Sequence, residues 1–101
     1  MAFKVTTIYK RPSLDTPWQM AWFFGKSAQE YLDLQEGYQM ESRRVIRGGD
    51  TLTLTVENTW DNEEQFHNYI NELAFINHMI RVEEYHLTCG ITTEPRVFQS
   101  L

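Results

Sequence analysis

The stretch "TLTLTVENTWDNEEQF", Thr51 to Phe66, alternates Leu52, Leu54, Val56, Asn58 and Trp60 on one side with Thr51, Thr53, Thr55, Glu57 and Thr59 on the other. Period two marks a half-buried strand, because successive side chains point to opposite faces of a sheet. Just beyond Trp60, Asp61 or Asn62 can accept the free amides of a helix N-terminus. Glu63 and Glu64 suit the positive end of the helix dipole, and Phe66 opens an apolar stripe. A strand running directly into a helix is therefore written in one segment. The apolar side of that strand begins as plain hydrocarbon and ends in an amide and an indole, which either meet a ligand or close the end of the core, with Trp60 as a plug and Asn58 bonded to nearby backbone.

Upstream, "YQMESRRVI" and the strand of Leu52–Trp60 flank Gly48-Gly49-Asp50, a strong hairpin signal. A two-residue loop sets Leu54 opposite Arg43 and Val56 opposite Glu41, which puts charge on the apolar face. A three-residue loop instead sets Ile46 opposite Leu52, Ser42 opposite Val56, Met40 opposite Asn58 and Tyr38 opposite Trp60, and is the preferred register. Arg44 then shares the face of Leu54, either carried outward by a bulge or held inward by an acidic group or a ligand.

At the start of the chain Phe3, Val5, Thr7 and Tyr9 alternate with Lys4, Thr6, Ile8 and Lys10, giving a first strand. Pro12 and Pro17 break it, and Thr16 is placed as an N-cap for a helix from Pro17 toward Gln35, which Gly37 can end. In that helix Met20, Phe24, Ala28 and Tyr31 form one stripe, while Trp18 and Trp22 point elsewhere. Its first half is apolar nearly all round, as expected of ordinary core, an oligomer interface or a ligand pocket.

Downstream, Phe66, Tyr69, Ile70 and Leu73 follow at helical spacing. The continuation keeps Ile76, Ile80 and Leu87 in helical positions, either as an extension or as a second helix set at an angle, ending before Gly90. "ITTEPRVFQSL" reads as a last strand, placed at an edge or bulge by Pro95. The order β-α-β-β-α-β is the ferredoxin-like α+β plan, a four-stranded antiparallel sheet with two helices on one face.

A chain of 101 residues, 42% of them hydrophobic, fills one modest core, so residues 1–101 are expected to form a single domain. The net charge of −5, with no run of basic residues, excludes a field able to hold a phosphate backbone, and nucleic acid is not an expected partner. Cys89 is the lone cysteine, which excludes an intrachain disulfide, and no stretch has the length and apolar purity of a membrane span. A cytoplasmic setting is the expectation. Gly-rich phosphate loops, serine elbows and paired-carboxylate spacings are missing. His67 and His78 would share a helix face, and His86 and Cys89 form an H-x-x-C pair beside Glu83, but His67 can equally pair with Glu63, and metal binding is not expected. Cys89 could act as a nucleophile only with His86 as its base, and no third group orients that histidine.

In its element order and in "TLTLTVENTWDNEEQFHNYI" the chain resembles the dimeric α+β barrel superfamily, in particular its antibiotic-biosynthesis-type monooxygenases and haem-degrading relatives. The carrying residues are Trp60 at the strand end, the cap Asp61-Asn62, and Phe66 followed by Tyr69. The haem-degrading branch uses an Asn on the first strand, a Trp in the second helix and a His further along. Those would fall near Thr6 or Thr7, at Tyr69 and beside Met79, and none matches, so the resemblance implies no haem and no other cofactor. What it does imply is a homodimer formed through the sheets and a cavity between sheet and helices. Asn58 and Trp60 would line that cavity, with Tyr69 and Arg44 as further polar contacts and His78 joining only if the helix is locally shifted. Two functional classes follow: a ligand- or partner-binding module without a catalytic motif, and a cofactor-independent monooxygenase-like enzyme acting on a small aromatic substrate.

Overall fold

The computed structural model describes residues 1–18, 26–46 and 51–101. The elements are β1 (Phe3–Lys10), α1 (Lys26–Tyr38), β2 (Glu41–Ile46), β3 (Thr53–Trp60), α2 (Glu63–Ile70), α3 (Leu73–Cys89), β4 (Thr92–Thr93) and β5 (Val97–Ser100). The antiparallel sheet runs β2-β3-β1-β4, with β5 sharing β1's edge beside β4. This is the expected ferredoxin-like α+β arrangement, with the helices against the face that carries Phe3, Val5 and Trp60.

The last strand is split because Glu94 donates its N–H to the Ile8 carbonyl at 2.9 Å, and Pro95, which has no N–H, follows immediately. Pairing with β1 then resumes at Val97↔Thr6.

Two boundaries near α1 differ from expectation. Pro17 and Trp18 are not helical, and Met20, Trp22 and Phe24 lie outside the described residues. At the other end Gly37 remains inside the helix, and the chain turns at Gln39, whose φ of 52° is left-handed and whose N–H reaches the Glu36 carbonyl at 3.0 Å.

The hairpin register is also corrected. β2 pairs with β3 as Ser42↔Asn58, Arg44↔Val56 and Ile46↔Leu54, two residues away from the three-residue-loop register. Gly48-Gly49-Asp50 lie outside the described residues. The far limb of the connection, however, is engaged elsewhere. Arg11 donates its backbone N–H to Leu52 O at 3.0 Å and its guanidinium to Thr51 O at 2.8 and 3.1 Å, and Thr51 has a φ of 51°. Leu52 therefore belongs to the end of β1 and does not face Ile46. An even shift leaves every side chain on its face, so Arg44 still points the way Leu54 does, in an unbroken ladder without the expected bulge.

α2 begins as read, with Asn62 Oδ1 accepting from the Gln65 N–H at 2.9 Å. It stops at Asn71, whose side chain donates to the His67 carbonyl at 2.8 Å, and Glu72 donates its N–H to Tyr69 O at 3.1 Å. α3 starts afresh and ends at Gly90, where φ is 73°, and both Gly90 and Ile91 donate N–H to the His86 carbonyl. The break changes which stripe is buried. Leu73, Ile76, Ile80 and Leu87, the apparent continuation of the stripe, are 73%, 40%, 50% and 83% exposed. Phe75, His78, Val82 and Tyr85 face the interior instead.

Candidate functional site

The floor of the site is a series of rungs across the sheet, because directly paired residues share a face. At one end Phe3 and Trp60 pair. The next rung joins Ser42, Asn58, Val5 and Phe98, the next Arg44, Val56 and Thr7, and the last Leu54, Tyr9 and Thr93. Above them α1 contributes Ala28, Tyr31 and Gln35, α2 contributes Phe66 and Tyr69, and α3 contributes Phe75, His78, Val82 and His86. Together they line a half-open cavity of about 1120 Å³. Asn58, Trp60, Tyr69, Arg44 and His78, which the sequence nominated, all line it. The break between α2 and α3 turns His78 inward, where it is buried.

The wall nearest Trp60 is aromatic. Tyr69 is 1% exposed and meets Trp60 at 5.2 Å and Phe75 at 5.0 Å between ring centroids, and Trp60 meets Phe66 edge-on at 4.9 Å. Tyr31 stacks on the buried His78 ring at 4.3 Å with 16° between planes. Gln35 Nε2 donates to the Tyr69 hydroxyl at 3.5 Å. Burial pushes both phenols, Tyr69 and Tyr31, above their ordinary value, so they remain protonated donors at neutral pH. At the opposite end Tyr9 meets His86 edge-on at 5.0 Å. Burial lowers the His86 imidazole below its ordinary value and the Glu83 carboxylate partly restores it, which favours the neutral ring.

Three polar atoms of the cavity-lining residues are buried without a hydrogen-bond partner among the described residues: Asn58 Oδ1, Trp60 Nε1 and Trp18 Nε1. Asn58 therefore does not satisfy its oxygen on nearby backbone. A buried donor or acceptor left unpaired is disfavoured by about 1–3 kcal/mol, and all three atoms belong to side chains that line the cavity. Of the alternative chemistries, no three His, Cys, Asp or Glu side chains among the described residues come together to hold a metal ion. His67 is exposed, 3.8 Å from Glu63. No described helix is long and apolar enough to cross a membrane.

Sequence reasoning missed Gln35, Phe75, Val82 and, as part of the site, His86 and Trp18. The spacing of Phe75, His78, Val82 and Tyr85 is as helical as that of Leu73, Ile76, Ile80 and Leu87, and is the signal that could have found them.

No family model matches the sequence. No curated protein matches it. Solved structures do match over nearly the whole chain. SnoaB, a cofactor-independent oxygenase from Streptomyces nogalater, superposes with a TM-score of 0.66 at 7% identity, covering 99% of this chain and 92% of that one. The likeness confirms the ferredoxin-like α+β fold. An EthD family protein from Bacillus halodurans has this fold too (TM-score 0.60, 13% identity, 100% and 99% of the two chains). A putative antibiotic biosynthesis monooxygenase from Nitrosomonas europaea does as well (TM-score 0.56, 10% identity, 96% and 86%). At such identities the likeness is one of fold alone.

Proposed function

We propose that the chain binds a small planar hydroxylated aromatic compound in the cavity and acts on it as a cofactor-independent oxygenase. The observation that carries this reading is the pair Asn58 Oδ1 and Trp60 Nε1, one acceptor and one donor, two positions apart on one strand face and both unmatched. A phenolic or enolic hydroxyl donates to the first and accepts from the second, and no apolar ligand does either. The protonated Tyr31 phenol, whose oxygen is bonded by Tyr69, and the Arg44 cation add donors toward an oxygen that gains negative charge.

The chemistry asks little of the protein. An electron-rich anthrone-type CH2 reacts with O2 to give C=O and water: both C–H bonds break, one oxygen atom enters the product, and both hydrogens leave in the water with the other. The substrate is oxidised and O2 reduced. Orientation, stabilisation of the enolate and exclusion of bulk water are the protein's contributions. The neighbours named as monooxygenases support this class.

Dithranol, an anthrone with phenolic hydroxyls, tests the reading by oxygen uptake. The unmodified protein is expected to accelerate its oxidation over buffer, and Asn58→Leu to remove most of the acceleration while leaving the melting temperature equal or higher, because the lost oxygen has no partner. A destabilised Asn58→Leu with no binding and no turnover in the unmodified protein sinks the proposal. The alternative is then a module for another protein, for which the exposed stripe of Leu73, Ile76, Ile80 and Leu87 is the supporting observation.

The proposal includes a homodimer. The face of the sheet away from the helices carries Thr53, Thr55 and Thr59, and Thr55 is buried without a partner for its hydroxyl among the described residues. Threonine suits a sheet packed on its twin. Light scattering at micromolar concentration is expected to give twice the chain mass, and a monomer mass contradicts it.

A further inference from the structure

We propose that Trp18 forms a second binding subsite in this cavity, donating its indole N–H to an acceptor oxygen at the end of a planar ligand remote from Asn58 and Trp60. The inference rests on the ligand-site reading above and adds to it how far the ligand reaches and what its far end carries.

The buried residues fall into two clusters. One holds Phe3, Val5, Trp60, Phe66 and Tyr69, and the other holds Tyr85 and Ile91, with Trp18, Tyr9, Ala28 and Val82 packed against it. The cavity is lined from both, so it runs from one core to the other. Phe3 and Tyr9 mark the ends of the floor, about 20 Å apart at roughly 3.3 Å per residue. Inward-pointing side chains shorten that span to the length of a few fused rings. Each end then presents one indole N–H that is buried and unmatched among the described residues.

One face of Trp18 is covered, and the residue before it is anchored. Arg11 lies over its ring with Cζ 4.9 Å from the centroid. The same guanidinium donates to Thr16 O at 2.8 Å and to Thr51 O at 2.8 and 3.1 Å. From α3, the Tyr85 hydroxyl donates to the Pro17 carbonyl at 2.6 Å. Arg11, itself bonded at Thr16 and Thr51, thus lies over the ring, and Tyr85 anchors the preceding residue, while the indole N–H has no partner among the described residues. An indole held in this way is a preorganised donor for a ligand.

Calorimetric titration with two probes tests this. Anthraflavic acid is a planar anthraquinone with a hydroxyl at each end, and its monohydroxy counterpart lacks one of them. The monohydroxy compound can place its single hydroxyl at the Asn58–Trp60 end. Trp18→Phe is expected to weaken anthraflavic acid about five- to tenfold, the worth of one hydrogen bond, and to leave the monohydroxy compound within about twofold. If Trp18→Phe melts much earlier than the unmodified protein, benzothienylalanine at position 18 removes the N–H while keeping the ring shape, and the same contrast is expected. Equal loss for both probes, or no loss for either, overturns the subsite while the cavity reading survives. Failure of either probe to bind the unmodified protein takes down the ligand-site reading itself, and this one with it.

Discussion

Trp60→Ala is expected to lower stability by roughly 3–5 kcal/mol, the usual cost of truncating a buried Trp. Its ring is closed in by Phe66 and Tyr69 at centroid distances of 4.9 and 5.2 Å, within the cluster of Phe3 and Val5. The cavity already beside it gives the neighbours little reason to collapse into the space. Trp60→Phe separates the ring's two roles. It keeps most of the apolar contact and so most of the stability, but it removes Nε1–H, and dithranol oxidation should fall with it. Denaturant unfolding and oxygen uptake on both variants check this. A Trp60→Ala loss below about 1 kcal/mol contradicts the packing, and a Trp60→Phe variant with full activity removes the indole from the site.

Tyr85→Ala is expected to cost a similar amount at the other end of the cavity, roughly 3–5 kcal/mol. The ring is 2% exposed and its hydroxyl bonds the Pro17 carbonyl. Tyr85→Phe isolates that bond at about 1 kcal/mol, because the carbonyl of Pro17 then loses its donor. Trp60 and Tyr85 share no cluster, so their losses should add within about 0.5 kcal/mol. For a chain of this size total stability is about 5–15 kcal/mol, and the double alanine variant is expected to be largely unfolded at room temperature. Measured additivity supports two cores flanking one cavity. Strong coupling between the two positions shows a single continuous core, with no space between them for a ligand.

The fold class was legible because each of its signals is local. Alternation in "AFKVTTIYK" and "TLTLTVENTW", the Asn62 cap and Gly90 are short-range devices whose energetics do not depend on what lies across the molecule. The face of each strand was equally legible. Arg44, Asn58 and Trp60 were assigned to one side of the sheet, and pairing keeps them there, since period two survives any even shift of register.

The register itself was not local. It was decided when Arg11, forty positions from Thr51, drew that residue and Leu52 to the end of β1. The orientation of α3 was likewise out of reach. Leu73, Ile76, Ile80 and Leu87 and the set Phe75, His78, Val82 and Tyr85 are both at helical spacing, and the first is the more apolar. Hydrophobicity alone therefore favours the wrong one. Side-chain and backbone bonds at Asn71 and Glu72 end α2 and reset the helix, which turns the second set inward and carries His78 and His86 to the cavity. The sequence by itself thus determined the order of helices and strands and the face that each strand buries. Tertiary structure decided the register, the inward stripe of α3 and the cavity, because each depends on hydrogen bonds or packing between segments that no local pattern connects.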